Sequence, residues 1–140
     1  MTQSRFLSST ENQVVSDNAT TSEVTWWIYS EYVINSPSNV ANTLFNTTTS
    51  AIISSSDISY IKLNWGSHGY FRVNYPTSVW NNLRSQIGQF PASDRANLVN
   101  DALVLARANK LPTAVALDFC SFLQNETDYT VRVFLLNLAI

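Results

Sequence analysis

The feature that most constrains the fold is a change of hydrophobic period at Pro76. Before it, apolar and polar residues alternate in short runs, which is typical of half-buried strands. After it, apolar residues recur at spacings of three and four, which is typical of helices packed through one face. The sequence therefore predicts an α+β fold, with a small antiparallel β-sandwich over residues 1–76 and antiparallel α-helices over residues 77–140.

The strand region contains one strong candidate pair and three separate segments. Residues 24–34 are rich in β-branched and aromatic side chains, and 3–7 and 49–54 are shorter candidates. Residues 61–65 and 70–75 both alternate, and a four-residue link with two glycines joins them. We predict a β-hairpin here, with one apolar face that packs on another sheet.

Four helical segments are predicted after Pro76. The first has the apolar face Val79, Trp80, Leu83 and Ile87, and Gly88 and Pro91 end it. Ser93, Thr113 and Asp128 are the expected N-caps of the others. The last run, 131–140, is apolar on nearly every side, so we expect partners beyond the end of the chain and a truncated helical domain.

Composition excludes several classes of partner. Charged residues make up 13% of the chain, lysine occurs only at Lys62 and Lys110, and the net charge is −2. Such a chain has no basic field for nucleic acid or anionic lipid. Cys120 is the single cysteine, so an internal disulfide is impossible and a buried small hydrophobe is expected.

The cellular location has to be inferred from modification motifs. We expect no signal peptide in this chain, because Met1 to Leu7 has neither a basic start nor an apolar core, and no segment reaches the roughly 18 apolar residues that a membrane span needs. Three sequons make Asn18, Asn46 and Asn125 candidate N-glycosylation sites. We therefore expect an extracellular or cell-surface location, with the targeting information outside this chain.

No standard catalytic site can be assembled from these residues. His68 is the single histidine, and a zinc site of the two-His, one-Glu type needs two. It lies in a turn, where an exposed structural role is expected. Asp94 and Asp101 are expected on a solvated or salt-bridged helix face, and Glu126 and Asp128 in capping. Phosphate-binding glycine motifs and a serine-nucleophile elbow are absent from the sequence.

Several motifs in register nevertheless resemble one family. Gly69-Tyr70-Phe71-Arg72-Val73-Asn74-Tyr75 resembles the G-Y-Y-R-V-N-Y segment of the aminopeptidase N type of zinc metallopeptidase. The same order is kept by other segments: Gln3 to Leu7, Trp26-Trp27-Ile28, Trp80 with Leu83, Asp94-Arg95-Ala96, Asn100-Asp101-Ala102, Leu105 to Ala108, Phe122-Leu123 and Glu126-Thr127-Asp128-Tyr129.

The resemblance implies a non-catalytic portion of a zinc aminopeptidase. In that family the β-sandwich links an upstream catalytic domain, which holds the zinc motif, to an α-solenoid-like helical domain over the active site. No cofactor is expected in this chain and zinc is expected in the parent. The expected partners are the upstream catalytic domain, the downstream helices and peptide substrates, with a homodimer through the helical domain as a further expectation.

The alternative is a free-standing or catalytically inactive binding scaffold. Thr130-Val131-Arg132 replaces the Pro-Trp that commonly follows Asp-Tyr in the family, and Pro76 replaces a frequent Asp. These differences leave the parent's activity open. The apolar run 131–140 argues against a free-standing domain, because alone it would expose a large apolar patch.

Overall fold

The computed structural model describes residues 26–46 and 58–138, and for residues 134–138 it describes the backbone alone. Three strands are followed by four α-helices, which confirms the α+β class. The elements are β1 (Ile28–Ile34), β2 (Val40–Phe45), β3 (Ile61–Leu63), α1 (Thr77–Ser85), α2 (Ala92–Arg107), α3 (Thr113–Phe119) and α4 (Tyr129–Leu138), with 3-10 turns at Trp65–Ser67, Ile87–Gln89 and Cys120–Asn125.

The three strands form one antiparallel sheet in the order β2-β1-β3. Ile28 pairs with Phe45 at one end of β1, and Ile34 pairs with Ile61 at the other. Asn35 fixes the entry to β3, because its Oδ1 accepts the N–H groups of Ser59 at 2.7 Å and Tyr60 at 3.2 Å. The predicted strands at 3–7 and 49–54 lie outside the described residues. The domain boundary at residue 76 stays a prediction.

The predicted hairpin between residues 61–65 and 70–75 is wrong. β3 pairs with β1, and residues 71–76 belong to no strand. The backbone turns through left-handed conformations at Asn64 (φ 53°), Gly66 (φ 71°) and Ser67 (φ 59°), which direct the chain out of the sheet. Residues 71–75 still alternate between less and more exposed side chains, so alternation was present without strand pairing.

The sheet and the helices share one apolar core. Val33 and Leu63 from the strands belong to the same buried cluster as Trp80, Val99 and Phe119 from the helices. The rings of Trp80 and Phe119 meet edge to face at 4.9 Å, an arrangement that the aromatic quadrupole favours. Within the described residues, no helix combines the length and the apolar character needed to cross a membrane.

Proline residues, and not hydroxyl side chains, occupy two of the predicted helix starts. α2 has Pro91 at its N-cap and α3 has Pro112, and neither helix has a side-chain capping bond, so the predictions for Ser93 and Thr113 are wrong. The fixed φ of proline starts these helices, which places Ser93 and Thr113 inside the first turn. Asp128 caps α4 as predicted, because its Oδ1 accepts the Thr130 N–H at 2.8 Å.

Candidate functional site

Two aspartates of α2 lie buried against the turn that follows the sheet. Asp94 is 0% exposed and Asp101 is 1% exposed. They are seven residues apart, which is two helical turns, so both point from the same face of the helix. Lys62 and Arg72, which lie before and after the turn, are their ion-pair partners. We call these four residues the joint.

The first half of the joint is fully enclosed. Lys62 Nζ lies 3.0 Å from Asp94 Oδ1, and both side chains are 0% exposed. The ammonium also donates to the carbonyl oxygens of Leu63 at 2.7 Å and Asn64 at 3.0 Å. The Gly66 N–H lies 3.0 and 3.1 Å from the two Asp94 carboxylate oxygens. Burial lowers the pKa of Lys62, and the negative charge of Asp94 opposes that change.

The second half of the joint holds the segment that leads into α1. Arg72 Nη1 lies 3.0 Å from Asp101 Oδ1, and the Val73 N–H donates to Asp101 Oδ2 at 3.1 Å. Burial raises the pKa of Asp101, and the Val73 N–H and the Arg72 guanidinium act in the opposite direction. Because Asp101 takes the Val73 N–H, a backbone donor that a strand would use in its ladder is bound to a helix side chain.

A third ion pair joins the beginning of α2 to the turn before α4. Arg95 donates from Nε to Glu126 Oε2 at 2.7 Å and from Nη2 to Oε1 at 3.0 Å. Glu126 Oε1 also accepts the N–H groups of Thr127 and Asp128. The hydrogen bonds from Arg95 hold the pKa of Glu126 below its usual range. Glu126 therefore orders the turn before α4, beside the cap that Asp128 provides.

The prediction of a solvated or salt-bridged helix face for Asp94 and Asp101 is correct only in part. The salt-bridged role is confirmed, whereas a solvated face is wrong because both carboxylates are buried. A signal for burial was present in the sequence. Asp94, Leu98, Asp101 and Leu105 follow the spacing of one helix face, so the aspartates lie in the apolar stripe. Lys62 was missed because the alternation placed it opposite the apolar side chains.

His68 has the exposed position that was predicted for it. Its side chain is 70% exposed, and Nδ1 lies 3.0 Å from Glu31 Oε2. Across residues 26–46 and 58–138, no three histidine, cysteine or acidic side chains come together as metal ligands. A single imidazole beside one carboxylate does not fit a zinc site of the two-His, one-Glu type. We therefore assign no metal-binding residue in the described part of the chain.

The remaining predicted residues lie apart from the joint. Cys120 is half-buried, and burial raises the pKa of its thiol to about 11. Asn46 is exposed at the end of β2, and Asn125 is exposed at the end of the last 3-10 turn. Asn18 lies outside the described residues. N-glycosylation at these three positions stays a prediction.

Comparison with known proteins identifies the family. The family model described as ERAP1-like C-terminal domain matches residues 60–139, which include β3, the joint and all four helices. The chain belongs to this aminopeptidase domain family. The resemblance inferred from the motifs around the joint is confirmed.

Individual aminopeptidases match parts of the chain. Endoplasmic reticulum aminopeptidase 1 from Homo sapiens is 31% identical over 117 residues, which cover 81% of this chain and 12% of that protein. Aminopeptidase A from Gloydius brevicauda is 41% identical over 75 residues, 51% of this chain and 8% of that protein. Aminopeptidase N from Homo sapiens is 35% identical over 82 residues, 56% of this chain and 8% of that protein. The chain thus spans about a tenth of the length of these relatives.

Proposed function

We propose that this chain is a non-catalytic, linking portion of an aminopeptidase. It links a catalytic domain to a helical domain that restricts access to the active site, and the parent releases N-terminal residues from peptides. The observation that carries the proposal is the extent of the family match. It begins at residue 60 and includes both halves of the joint, so the segment from β3 to α2 belongs with the helices as one unit.

The chemistry of the joint supports a linking role. A link between two domains must keep their relative position when a substrate binds. Two ion pairs oppose sliding or rotation of α2 against the turn, because either motion separates Lys62 from Asp94 where water is excluded and also separates the buried Asp101 from the partly exposed Arg72. The hydrogen bonds of Lys62 to two backbone carbonyl groups fix the same turn from its other side.

The chemical step belongs to the rest of the parent. Zinc supplies a metal-activated water for peptide hydrolysis when it is bound. The described residues do not fit a zinc ion, and the proposal assigns its ligands to the upstream catalytic domain. This chain holds the catalytic and helical domains in position relative to each other. In this proposal its sheet contacts the upstream domain, and α4 leads into further helices.

The proposal includes a location and partners. The parent acts on peptides at the cell surface or outside the cell, and the sequons at Asn18, Asn46 and Asn125 support that location. The helical domain also supplies the contact surface of a homodimer. Analytical ultracentrifugation of the full-length protein tests the dimer, and surface biotinylation of cells that express it tests the location.

The experiment on the enzymatic role compares the full-length parent with the 140-residue chain. Zinc content is measured by mass spectrometry, and activity by release of p-nitroaniline from aminoacyl p-nitroanilides. We expect zinc and activity in the parent and neither in the chain. Stoichiometric zinc or turnover in the chain alone would contradict the proposal. A folded parent without activity would favour the alternative, a catalytically inactive binding scaffold.

A separate double variant tests the linking role. In the full-length protein, Lys62→Met with Asp94→Leu replaces the enclosed ion pair by apolar side chains and leaves no buried charge unpaired. We expect zinc content to stay the same and activity to fall. The matched control is Arg84→Met with Asp118→Leu, which removes an exposed pair on α1 and α3. Equal activity in both variants and the wild type would rule out a linking role for the joint.

A further inference from the structure

A shallow depression at the start of β1 is lined mainly by aromatic rings. Trp27, Tyr29, Tyr70 and Phe71 line it, and its volume is about 390 Å³. Trp27 is 75% exposed, Tyr29 is 53% exposed and Tyr70 is fully exposed. We call this surface the aromatic depression. Exposed apolar groups of this size mark a surface that another group covers.

The wall of the aromatic depression is fixed by the backbone at Gly69. Asn64, which is 2% exposed, accepts the Gly69 N–H at 2.8 Å and donates from Nδ2 to the Gly69 carbonyl oxygen at 3.0 Å. A Cβ atom at position 69 would overlap Cε1 of the Phe71 ring and lie 2.7 Å from Cδ1. Glycine therefore allows the Phe71 ring to pack closely on the backbone, so this wall is present in the chain without a partner.

One carboxylate lies at the edge of the aromatic depression. Glu31 Oε2 lies 3.0 Å from His68 Nδ1, and Glu31 Oε1 accepts the Tyr29 hydroxyl at 3.4 Å. Both of these partners line the depression, and the Glu31 side chain is 28% exposed. Lys62 and Arg72, the basic residues on either side of His68 in the sequence, pair with aspartates of α2. The depression therefore combines exposed aromatic rings with a partly exposed negative charge.

This combination favours a guanidinium group as the occupant. The electron-rich face of an aromatic ring attracts a cation, and a carboxylate accepts strong hydrogen bonds from one. A guanidinium does both at once, because it stacks on rings and donates N–H groups in a fixed plane. A lysine ammonium is more strongly hydrated and does not stack. A quaternary ammonium has no N–H for the carboxylate and is bound by aromatic cages, whereas this depression is shallow and open.

We propose, on the basis of the function proposed above, that the upstream catalytic domain docks on the aromatic depression through an arginine side chain. The chain spans about a tenth of the length of the relatives that it matches, so a surface exposed here can be covered by the remainder of the same protein. The helical-domain match begins at residue 60, and Trp27, Tyr29 and Glu31 lie before it. The part of the depression that holds the charge thus belongs to the upstream side of this match.

The first test maps the partner by photo-crosslinking in the full-length protein. At Tyr70, the photo-reactive residue p-benzoylphenylalanine keeps an aromatic ring in the depression and bonds to a neighbouring group on irradiation. We expect mass spectrometry to find the bond on an arginine-containing segment upstream of this chain. A bond only to the downstream helices, to a second copy or to an added arginine-containing peptide would overturn the proposal, and so would the absence of any bond.

The second test measures the contribution of the Glu31 charge. Glu31→Gln keeps the size of the side chain, and we expect the yield of the upstream crosslink to fall about tenfold, because a hydrogen bond between charged groups changes an equilibrium by about that factor. The matched control is Asp118→Asn, which removes an exposed carboxylate on α3 and should leave the yield unchanged. Equal yields in the two variants would overturn the arginine contact.

The same contact can be tested from its other side. Replacement of the arginine found by the first test with leucine should lower the crosslink yield by the same factor as Glu31→Gln. The two changes together should lower it no further, because they remove one interaction. Additive losses would mean that the arginine and Glu31 do not contact each other.

The crosslink does not depend on catalysis, so the docking contact and the enzymatic role can fail separately. Zinc and activity in a parent without the upstream crosslink would refute the docking contact alone. An upstream crosslink in a parent without zinc or activity would support the contact and refute the enzymatic role alone.

Discussion

Lys62 Nζ lies 3.0 Å from Asp94 Oδ1, with both side chains completely buried between the sheet and α2. The pair is surrounded by further donors and acceptors, so each charge keeps several partners when water is excluded. Removing one member of such a pair costs more than replacing both, because the remaining charge is left without its counterion. The free energy of unfolding should therefore differ between a variant that removes one member of the pair and a variant that replaces both.

Lys62→Met alone should lower the free energy of unfolding by about 3–5 kcal/mol, because it leaves the Asp94 carboxylate buried without a cation. Lys62→Met with Asp94→Leu should recover most of that loss. The measurement is urea unfolding followed by tryptophan fluorescence. Arg84→Met is the control, since its exposed pair with Asp118 contributes about 0–1 kcal/mol. A double variant less stable than Lys62→Met would contradict this account.

The hydroxyl of Tyr75 binds a backbone donor of β3, in addition to the pairing of β3 with β1. Its oxygen accepts the Leu63 N–H at 2.9 Å, and the residue is 6% exposed. Tyr75→Phe should therefore lower stability by about 1–3 kcal/mol, because a buried N–H loses its acceptor. Tyr70→Phe is the control, since the Tyr70 side chain is fully exposed. Equal unfolding midpoints for the two variants would show that the Leu63 N–H finds another acceptor.

Glu126 should make the fold sensitive to acid. Hydrogen bonds from Arg95 hold the pKa of Glu126 below its ordinary value of 4.5, so the ionised carboxylate is favoured more in the folded state than in the unfolded state. The resulting stability is present above pH 4.5 and is lost as the pH falls through the folded-state pKa.

The measurement is the slope of unfolding free energy against pH below about pH 5, the range in which glutamate titrates. Glu126→Gln should flatten the slope relative to the wild type, and Arg95→Met should flatten it as well. A slope that Glu126→Gln leaves unaltered would mean that other carboxylates account for the acid sensitivity.

Cys120 should react slowly with alkylating reagents. Burial raises the pKa of its thiol from an ordinary 9.0 to about 11, so thiolate at neutral pH is reduced about a hundredfold. Iodoacetamide labelling followed by mass spectrometry should be much slower in buffer than in urea, where the thiol regains its ordinary pKa. Equal rates in buffer and urea would mean that the thiol is accessible in the folded chain.

The helices could be predicted from sequence more fully than the sheet. Helical spacing is a local signal, and Val99, Ala102 and Leu105 follow it within one element. Strand pairing depends on residues far apart in the chain. Ile61 pairs with Ile34, across a segment whose own pattern gives no register, whereas the alternation of residues 71–75 suggested a nearer partner.

The joint could be predicted only in part for a similar reason. The position of Asp94 and Asp101 in the apolar stripe was visible in the sequence, but their cations come from another element. Nothing local in residues 61–65 distinguishes a buried Lys62 from an exposed one. The left-handed backbone conformation at Asn64 and Ser67 could not be predicted from the sequence either, since these residue types adopt it only in some turns.

The two halves of the joint also constrain how the chain can change in length. Lys62 and Arg72 are ten residues apart in one segment, and Asp94 and Asp101 are seven apart in another, so both spacings must hold at once. A residue inserted or deleted between either pair would leave one charge in register with its partner and take the other out of register. Homologous chains should therefore differ in length at the link between β1 and β2, and keep a constant length across these two intervals.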